Sequence, residues 1–306
     1  MWRKVLNIIF MVLAWGAILA YIIYASILTH RHKESLCVKR VEINIPDSTA
    51  TTYLVNRNFI ERQLKKEGFT LVGKRVNEVD FLAIAESIEK NGFVERANIY
   101  ATLSGYLFID ISQRKPVLRL HTEGYNSYVT SEGYIFRAPK ESAYYTAVVT
   151  GTFRPIAAPA FNGSTEELYE KRLEALYDRV EEIKEKSGDT YTRSREYQRL
   201  VKQEARLRRR HRDLCNLTKF VQRITEDSFW GAEVVQYIAD TTSMGALSLR
   251  LVPRSGNHII LFGELTDTED KMQRLEKFYK DGLTQLGWER FKTIDIRYDK
   301  QVICRE

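Results

Sequence analysis

The stretch VERANIYATLSGYLFIDIS, residues 94–112, contains two strand patterns separated by a turn. Val94–Ala101 contains Val94, Ile99 and Tyr100, which suit a strand, and Ser104-Gly105 has the composition of a tight turn. In Tyr106–Ser112 apolar and polar residues alternate, which is typical of a strand with one buried face. The stretch therefore predicts a β-hairpin whose inward side chains are Leu107, Ile109 and Ile111.

The residues before this hairpin predict a strand followed by two short helices. Apolar residues alternate with polar ones between Val41 and Ile45, as in a half-buried strand. Asn58 or Asn56 is placed to cap the first helix, and Asn77 is placed to cap the second. The order is strand, helix, helix, strand, strand, and it indicates a compact α+β module.

Beyond Pro116 the pattern changes to short strands separated by glycine-containing turns. The last two strand patterns are Thr293–Tyr298 and Gln301–Cys304. A terminal strand is a candidate sheet edge, because its outer N–H and C=O groups have no partner strand. The chain is thus predicted to have an α+β fold, in which a β-rich domain follows the first module.

Residues 164–213 have the pattern of a helical hairpin inserted into the β-rich domain. The first arm is mainly acidic and the second mainly basic, and Ser187-Gly188-Asp189 separates them. We predict a separately folded arm in which the two helices pair with each other. Arg208-Arg209-Arg210 leaves open a patch for nucleic acid or phospholipid. The heptad seam of the first arm consists of Tyr169, Leu173, Leu176, Val180 and Ile183.

Val5–Leu28 is a run of 24 residues without a charge. As a helix it is about 36 Å long, enough to cross a hydrocarbon core of about 30 Å. The run is longer than the apolar region of about 7–15 residues in a signal peptide, but cleavage within Ala14–Ala25 stays open as an alternative. Basic residues flank both ends, so charge alone does not orient the helix. We predict a single transmembrane helix followed by a polar stalk, residues 29–37.

The composition is that of a globular protein with a mildly basic surface. Hydrophobic residues make up 44% of the 306 residues and charged residues 28%, which excludes collagen and wholesale disorder. Lys and Arg number 47 against 40 Asp and Glu, giving a net charge of +7. This charge suits an anionic neighbour such as a membrane surface more than it indicates nucleic acid.

The sequence contains none of the short motifs that carry catalysis. It has no P-loop, no GxGxxG and no HExxH. The run Ser255–His258 has the composition of a tight turn, with Gly and Asn to supply positive φ. Cys37, Cys215 and Cys304 are too far apart in sequence for a CxxC or zinc-ribbon pattern. We therefore predict no enzyme, no cofactor and no metal, and a binding or scaffolding role instead.

The layout resembles that of the FtsQ/DivIB family of bacterial cell-division proteins. The α+β module looks like the POTRA domain of these proteins, and Ile294–Tyr298 (IDIRY) resembles the family's "iDLRY", the most specific motif. The insertion 164–213 departs from the usual pattern, and Asp299-Lys300-Gln301 lacks the glycine common in that turn. The insertion and Phe229-Trp230 look most like Bacteroidetes-type members. Further similar motifs are Val94–Ile99, Arg114–Val117, Ser131–Phe136, Val148–Gly151, Ile260–Gly263 and Lys271 with Arg274-Leu275.

The resemblance implies a non-catalytic, bitopic inner-membrane protein of the divisome that acts in septum formation. Its N-terminus would lie in the cytoplasm and its bulk in the periplasm. Its partners would be FtsB-like and FtsL-like coiled-coil proteins and other divisome membrane proteins, and it would not bind nucleic acid. The implied domains are a cytoplasmic tail (1–4), the transmembrane helix (5–28), the stalk (29–37), a POTRA-like domain (38–115) and a β domain (116–306) with the helical insertion (164–213).

The resemblance also implies a partner site, because the family's partner binds around the "RY" and the strand after it. An incoming strand would add to the sheet edge, Arg297 would pair with a partner carboxylate, and Tyr298 would be an aromatic anchor. The alternative is that Arg297 and Tyr298 only complete a core strand. The implied site residues are Arg297, Tyr298, Gln301, Val302, Ile303 and Cys304.

Three other functions stay open from the sequence alone. One is a membrane-tethered cell-wall hydrolase, which would need a zinc site or a nucleophile. Another is a different POTRA-bearing envelope assembly factor, which would need repeated POTRA modules or a β-barrel. The last is a membrane-anchored nucleic-acid binder that uses the basic arm.

Overall fold

The computed structural model describes Trp2, Met11 and residues 13–26, 36–46, 52–139 and 143–306. Residues 13–26 are helical. Residues 1, 3 and 4 of the predicted tail and most of the stalk lie outside the described residues, as do residues 5–10, 12, 27 and 28 of the predicted transmembrane helix. Within the described ranges, no helix combines the length and the apolar character that crossing a membrane requires.

The elements of the described residues are numbered in chain order. The strands are β1 (Arg40–Asn44), β2 (Thr52–Tyr53), β3 (Val94–Ala101), β4 (Tyr106–Gln113), β5 (Pro116–Leu120), β6 (Ser127–Thr130), β7 (Tyr134–Arg137), β8 (Ala143–Tyr144), β9 (Ala147–Thr150), β10 (Gly163–Ser164), β11 (Val234–Thr241), β12 (Leu247–Pro253), β13 (Ile259–Gly263), β14 (Thr293–Asp295) and β15 (Ile303–Arg305). The α-helices are α1 (Arg57–Lys66), α2 (Phe81–Glu89), α3 (Thr165–Ser187), α4 (Arg195–Glu226), α5 (Trp230–Glu233), α6 (Thr268–Lys277) and α7 (Thr284–Leu286). Val76–Glu78 and Gly188–Arg193 are 3-10 helices, and Phe278–Leu283 is a π-helix.

The chain divides into two compact units. The first comprises the described residues within Met1–Ser48 and within Val55–Gln113, and the second those within Thr49–Leu54 and within Arg114–Glu306.

The first unit has a three-stranded sheet with the strand order β1-β4-β3. Strand β4 lies in the middle, parallel to β1 and antiparallel to β3. The predicted order strand, helix, helix, strand, strand is therefore confirmed. The predicted inward face of β4 is also confirmed, because Leu107, Ile109 and Ile111 are fully buried.

The two helices of this unit begin at polar caps. The Asn56 side chain accepts a hydrogen bond from the Phe59 backbone N–H at 2.8 Å, which agrees with one of the two predicted caps. The second predicted cap, Asn77, is wrong. Asp80 caps α2 instead and accepts from the Ala83 backbone N–H at 3.0 Å, because it directly precedes the first helical residue.

The second unit has a ten-stranded sheet with the order β10-β7-β6-β5-β9-β11-β12-β13-β14-β15. Most neighbours are antiparallel, but β9 lies parallel to both of its neighbours, β5 and β11, and β14 lies parallel to β13. Strands β2 and β8 form a separate two-stranded sheet. The core of the unit lies where apolar side chains of the sheet meet those of α4 and α6.

The helical hairpin differs from the predicted separate arm. Helix α4 runs without a break from Arg195 to Glu226, so the expected boundary near residue 213 does not exist. No Gly or Pro interrupts this stretch. Its C-terminal half is part of the core, where Leu214, Leu217 and Val221 are buried. The hairpin is therefore built on the same helix that covers the sheet.

The base of the hairpin is fastened to the rest of the unit. Leu168, Tyr169 and Leu207 pack against the core of the sheet. The Arg172 guanidinium donates to the Ile156 carbonyl at 2.7 Å, and the Thr165 hydroxyl donates to the Gly133 carbonyl at 2.7 Å. The hairpin is therefore attached to the second unit at its base, and its outer part lies beyond these contacts.

Candidate partner-binding site at the sheet edge

Strand β15 is the last strand at one end of the ten-stranded sheet. It pairs antiparallel with β14, and Ile294 lies opposite Cys304 in this pairing. In the part of the chain that the structure describes, no strand pairs with its other side. The strand begins at Ile303 rather than at the predicted Gln301. Its outer row of backbone groups can therefore accept an additional strand.

Strand β14 is shorter than predicted, since it ends at Asp295 instead of Tyr298. The Asp295 side chain is only 1% exposed, and its carboxylate accepts three hydrogen bonds from Arg297. The Arg297 Nε–Oδ1 distance is 2.9 Å and the Nη2–Oδ2 distance is 2.6 Å, while the Arg297 backbone N–H donates at 3.1 Å. The guanidinium thus closes a bidentate ring on a buried carboxylate at the end of the strand.

This contact changes the interpretation of Arg297. Burial alone would raise the pKa of Asp295, but hydrogen bonds from the Arg297 side chain and backbone hold that pKa below its usual range. The side-chain hydrogen bond to Asp295 in turn raises the pKa of Arg297. The bidentate face of Arg297 is therefore occupied within the chain. A partner carboxylate would have to compete with Asp295 for it.

Gly263, at the end of β13, makes room for the stem of Arg297. A Cβ at this position would lie 2.8 Å from Arg297 Cγ, closer than side chains tolerate. Its φ is also +76°, which suits glycine. Glycine at the end of the motif Ile260–Gly263 therefore leaves space for the Arg297 side chain that pairs with Asp295.

The turn between β14 and β15 presents Tyr298 to solvent. The Tyr298 side chain is 48% exposed, and its ring centroid lies 6.0 Å from the Arg297 guanidinium carbon. Lys300 adopts a φ of +56°, a conformation that glycine adopts more easily. Lys300 thus has a left-handed backbone conformation in the turn Asp299-Lys300-Gln301, which lacks the glycine common at this place.

The six predicted site residues follow one another from the end of β14 into β15. Gln301 is exposed, and Ile303 is half-buried. Val302 and Cys304 pack against the core, so Ile303 between them projects to the other side of the strand. Tyr298 and Ile303 are the side chains best suited to contact a partner. The sequence analysis did not identify Asp295 as the partner of Arg297, although a spacing of two within the predicted strand Thr293–Tyr298 would place both side chains on one face.

Outside this edge, the run Ser255–His258 forms the predicted turn before β13. His258 is buried, and its Nε2 lies 2.8 Å from the Tyr279 hydroxyl oxygen. Burial lowers the pKa of His258, although the nearby Glu233 acts in the opposite direction. Across the described ranges, no group of three or more His, Cys, Asp or Glu side chains is arranged to hold a metal ion.

Two protein families match parts of the chain. Residues 186–305 match the family described as "FtsQ/DivIB, C-terminal related", and residues 36–112 match the family described as "POTRA-like domain". No curated protein matches the chain. The first match contains α4 and β11 to β15, including the sheet edge, and the second contains the three-stranded sheet. The first match also includes residues 186–213 of the predicted insertion.

Proposed function

We propose that the chain, which belongs to the FtsQ/DivIB family, is a non-catalytic scaffold of bacterial cell division. In this proposal it is a single-pass protein of the inner membrane with its N-terminus in the cytoplasm and its bulk in the periplasm. It binds FtsB-like and FtsL-like coiled-coil proteins and links early and late division proteins during septum formation.

One observation carries the proposal for partner binding: β15 is a sheet edge with an open side. Addition of a strand there would supply main-chain hydrogen bonds, while Tyr298 and Ile303 would supply side-chain contacts. Tyrosine is common among residues that dominate binding energy, because it buries a large area at small entropic cost. Arg297 keeps its bond to Asp295 and holds the turn in the shape that presents Tyr298.

The membrane anchor is supported by the uncharged run Val5–Leu28. Protease added to spheroplasts should digest the chain beyond this run and leave a short protected fragment. Full protection of the chain would contradict the proposed topology.

Partner binding can be tested by co-purification of the full chain from detergent-solubilised membranes. Ile303→Pro and Cys304→Pro form an informative pair, because neighbouring residues of a strand direct their backbone N–H groups to opposite sides. One of the two substitutions removes a backbone hydrogen bond to β14 and destabilises the edge. The other removes only a backbone N–H that faces the open side of β15. The variant that stays folded should recover at least tenfold less of the FtsB-like and FtsL-like proteins.

Tyr298→Ala provides an independent variant, and Tyr145→Ala is its control, since Tyr145 is an exposed tyrosine of the same unit away from the edge. We expect reduced recovery for the first and unchanged recovery for the second. Undiminished recovery for Tyr298→Ala and for the folded proline variant would place the partner site elsewhere.

A further inference from the structure

A stripe of basic side chains runs along helix α4. Arg195, Arg199, Lys202, Arg206 and Arg209 follow one another at spacings of 4, 3, 4 and 3. Residues at this spacing lie on one face of a helix. At about 1.5 Å per residue, the stripe is roughly 21 Å long. It is named the basic stripe below.

The basic stripe is not neutralised by the acidic helix α3. Glu204 and His211 face α3, where the Glu204 carboxylate lies 3.3 Å from the Tyr177 hydroxyl and His211 Nε2 lies 3.1 Å from the Glu166 carboxylate. Lys202 and Arg209 of the stripe precede these two residues by two positions. At about 100° per residue, the stripe lies roughly 200° around the helix from the seam, on the far side from α3.

The predicted pairing of the two helices is confirmed by the contacts of Tyr177 with Glu204 and of His211 with Glu166, but the basic stripe takes no part in it. Arg208 does point toward α3, but it pairs with Glu204 of its own helix at 2.8 Å. Four members of the stripe are exposed and, within the described part of the chain, form neither an ion pair nor a side-chain hydrogen bond. These four are Arg195, Arg199, Lys202 and Arg206.

The stripe ends in a cavity of about 690 Å³ in the second unit. Arg206, Arg209 and Arg210 of α4 line one side of it. The opposite walls are the segment Thr152–Arg154 and the turn between β11 and β12, which contains Met244.

Two of these arginines are held in place by neutral groups. Arg209 donates from Nη1 to the Met244 carbonyl, while Arg210 donates from Nε to the Arg154 carbonyl at 3.1 Å and from Nη2 to the Pro155 carbonyl. Carbonyl oxygens fix the two guanidinium groups without cancelling their charge. Each guanidinium has five N–H donors, so donors remain for a ligand. Because these two side chains are already ordered, ligand binding costs less side-chain entropy.

The acidic groups of the cavity compensate little of this charge. Glu123 is engaged by Arg154 at 2.9 Å, so this pair is neutral together. The Asp213 carboxylate lies 3.8 Å from the guanidinium of Arg212, which is not one of the three arginines that line the cavity. The three arginines of α4 therefore leave the cavity positively charged, and the basic stripe extends that charge along the helix.

We infer that this cavity and the basic stripe bind a linear, phosphate-bearing polyanion, whose end enters the cavity while its chain lies along α4. Four of the five stripe residues are arginines, and guanidinium matches phosphate oxygens bidentately. The cavity has walls on both sides, so a narrow chain that enters it can contact Arg209 and Arg210 together with the opposite wall. The stripe itself carries no aromatic anchor of the kind expected for a protein partner.

The experiment is a titration of the full chain in neutral detergent with inorganic polyphosphate, followed by microscale thermophoresis at several salt concentrations. Arg206→Gln is the principal variant, because Arg206 lines the cavity, is exposed and holds no partner that its loss would disrupt. Arg208→Gln is the matched control: it removes the same charge two residues away, on the face toward α3.

We expect Arg206→Gln to weaken polyphosphate binding at least fivefold and to reduce the dependence of log K on log salt by about 0.7, the contribution of one phosphate contact in a single strand. Arg208→Gln should change the affinity less than twofold. Arg199→Gln should weaken binding to a long polyphosphate but not to pyrophosphate, which reaches only the cavity.

Four results would overturn the inference: no binding of polyphosphate, equal losses in Arg206→Gln and Arg208→Gln, equally tight binding of poly-glutamate, or binding only to mixed micelles that contain an anionic phospholipid. The third result would indicate an acidic protein segment, and the fourth a membrane surface.

Discussion

Removing the guanidinium of Arg297 tests whether the ion pair with Asp295 holds the end of β14. The Asp295 side chain is 1% exposed in the intact pair, and in Arg297→Ala its carboxylate loses both guanidinium hydrogen bonds and keeps only the one from the backbone N–H of residue 297. Breaking a fully buried pair costs about 3–5 kcal/mol. Because the Arg297 side chain is 45% exposed and water can reach the site, we expect a loss of about 2–3 kcal/mol in the free energy of unfolding.

The assay is urea unfolding of the full chain in neutral detergent, with the fluorescence of Trp230 and Trp288 reporting on the second unit. Asp295→Asn is the companion variant, and the double variant completes a thermodynamic cycle. Because the carboxylate is then absent, Arg297→Ala should cost less in the Asp295→Asn background. A loss below about 0.5 kcal/mol, or equal losses in both backgrounds, would refute the reasoning.

The same pair predicts a dependence on acid. The pKa of Asp295 is lowered in the folded state, so the folded state binds fewer protons than the unfolded state as the pH falls. The stability from this carboxylate is present above its unfolded pKa of about 3.9 and is lost as the pH falls through the folded value. Arg297→Ala should weaken this acid dependence. Charge reversal, Arg297→Glu, would place two carboxylates together and damage the fold, so it is a poor test of partner binding.

Four further predictions concern the second unit. Gly263→Ala should lower the free energy of unfolding by about 1–3 kcal/mol, because the new Cβ would meet the Arg297 stem and the residue has a φ of +76°. Lys300→Gly should leave the free energy of unfolding unchanged or raise it by up to about 1 kcal/mol. Urea unfolding in which Gly263→Ala is more stable than Lys300→Gly would contradict both predictions. The pKa of His258 is lowered in the folded state, so the free energy of unfolding should fall as the pH drops below about 6.5. His258→Phe should remove part of the fall in unfolding free energy between about pH 7.5 and about pH 5.5. An identical fall in both proteins would show that His258 does not cause it. Replacing residues 176–204 by a short Gly/Ser linker should change the unfolding free energy by only about 1 kcal/mol, because the base of the hairpin is kept, whereas unfolding of the shortened chain would show that the whole hairpin is needed.

Local patterns predicted the first unit well, because one strand dominates it. The alternation of Leu107, Ile109 and Ile111 required a buried face, and β4 lies in the middle of its sheet. The cap of α2 was misplaced because Asn77 and Asp80 are both good capping residues. Only the position of the helix start, which depends on packing, decides between them.

The candidate edge was predicted in outline but not in its contacts. A strand pattern near the end of the sequence indicated an open sheet edge, and β15 has this position. The alternation within Thr293–Tyr298 did not reveal that Asp295 is buried, since a polar residue on a strand is ordinarily assigned to the exposed face. The burial arises from β13 and β15 on either side of β14, which a single sequence does not show.

The hairpin illustrates why charge composition is a poor guide to pairing. An acidic segment followed by a basic one predicted ion pairs between the two helices. The seam of α4 is set by Leu200, Leu207 and Leu214 at intervals of seven, and the basic stripe lies on the far side of the helix from it. Apolar burial fixes the facing sides first, because an exposed ion pair contributes only about 0–1 kcal/mol.

Site-specific cross-linking in dividing cells tests the proposed partner site most directly. A photoreactive amino acid placed at Arg305, an exposed residue of β15, is compared with one at Ser164 in β10, at the opposite end of the same sheet. The account predicts that position 305 cross-links to an FtsB-like or FtsL-like protein and that position 164 does not. Cross-links to these proteins from position 164 alone, or from neither position, would contradict it.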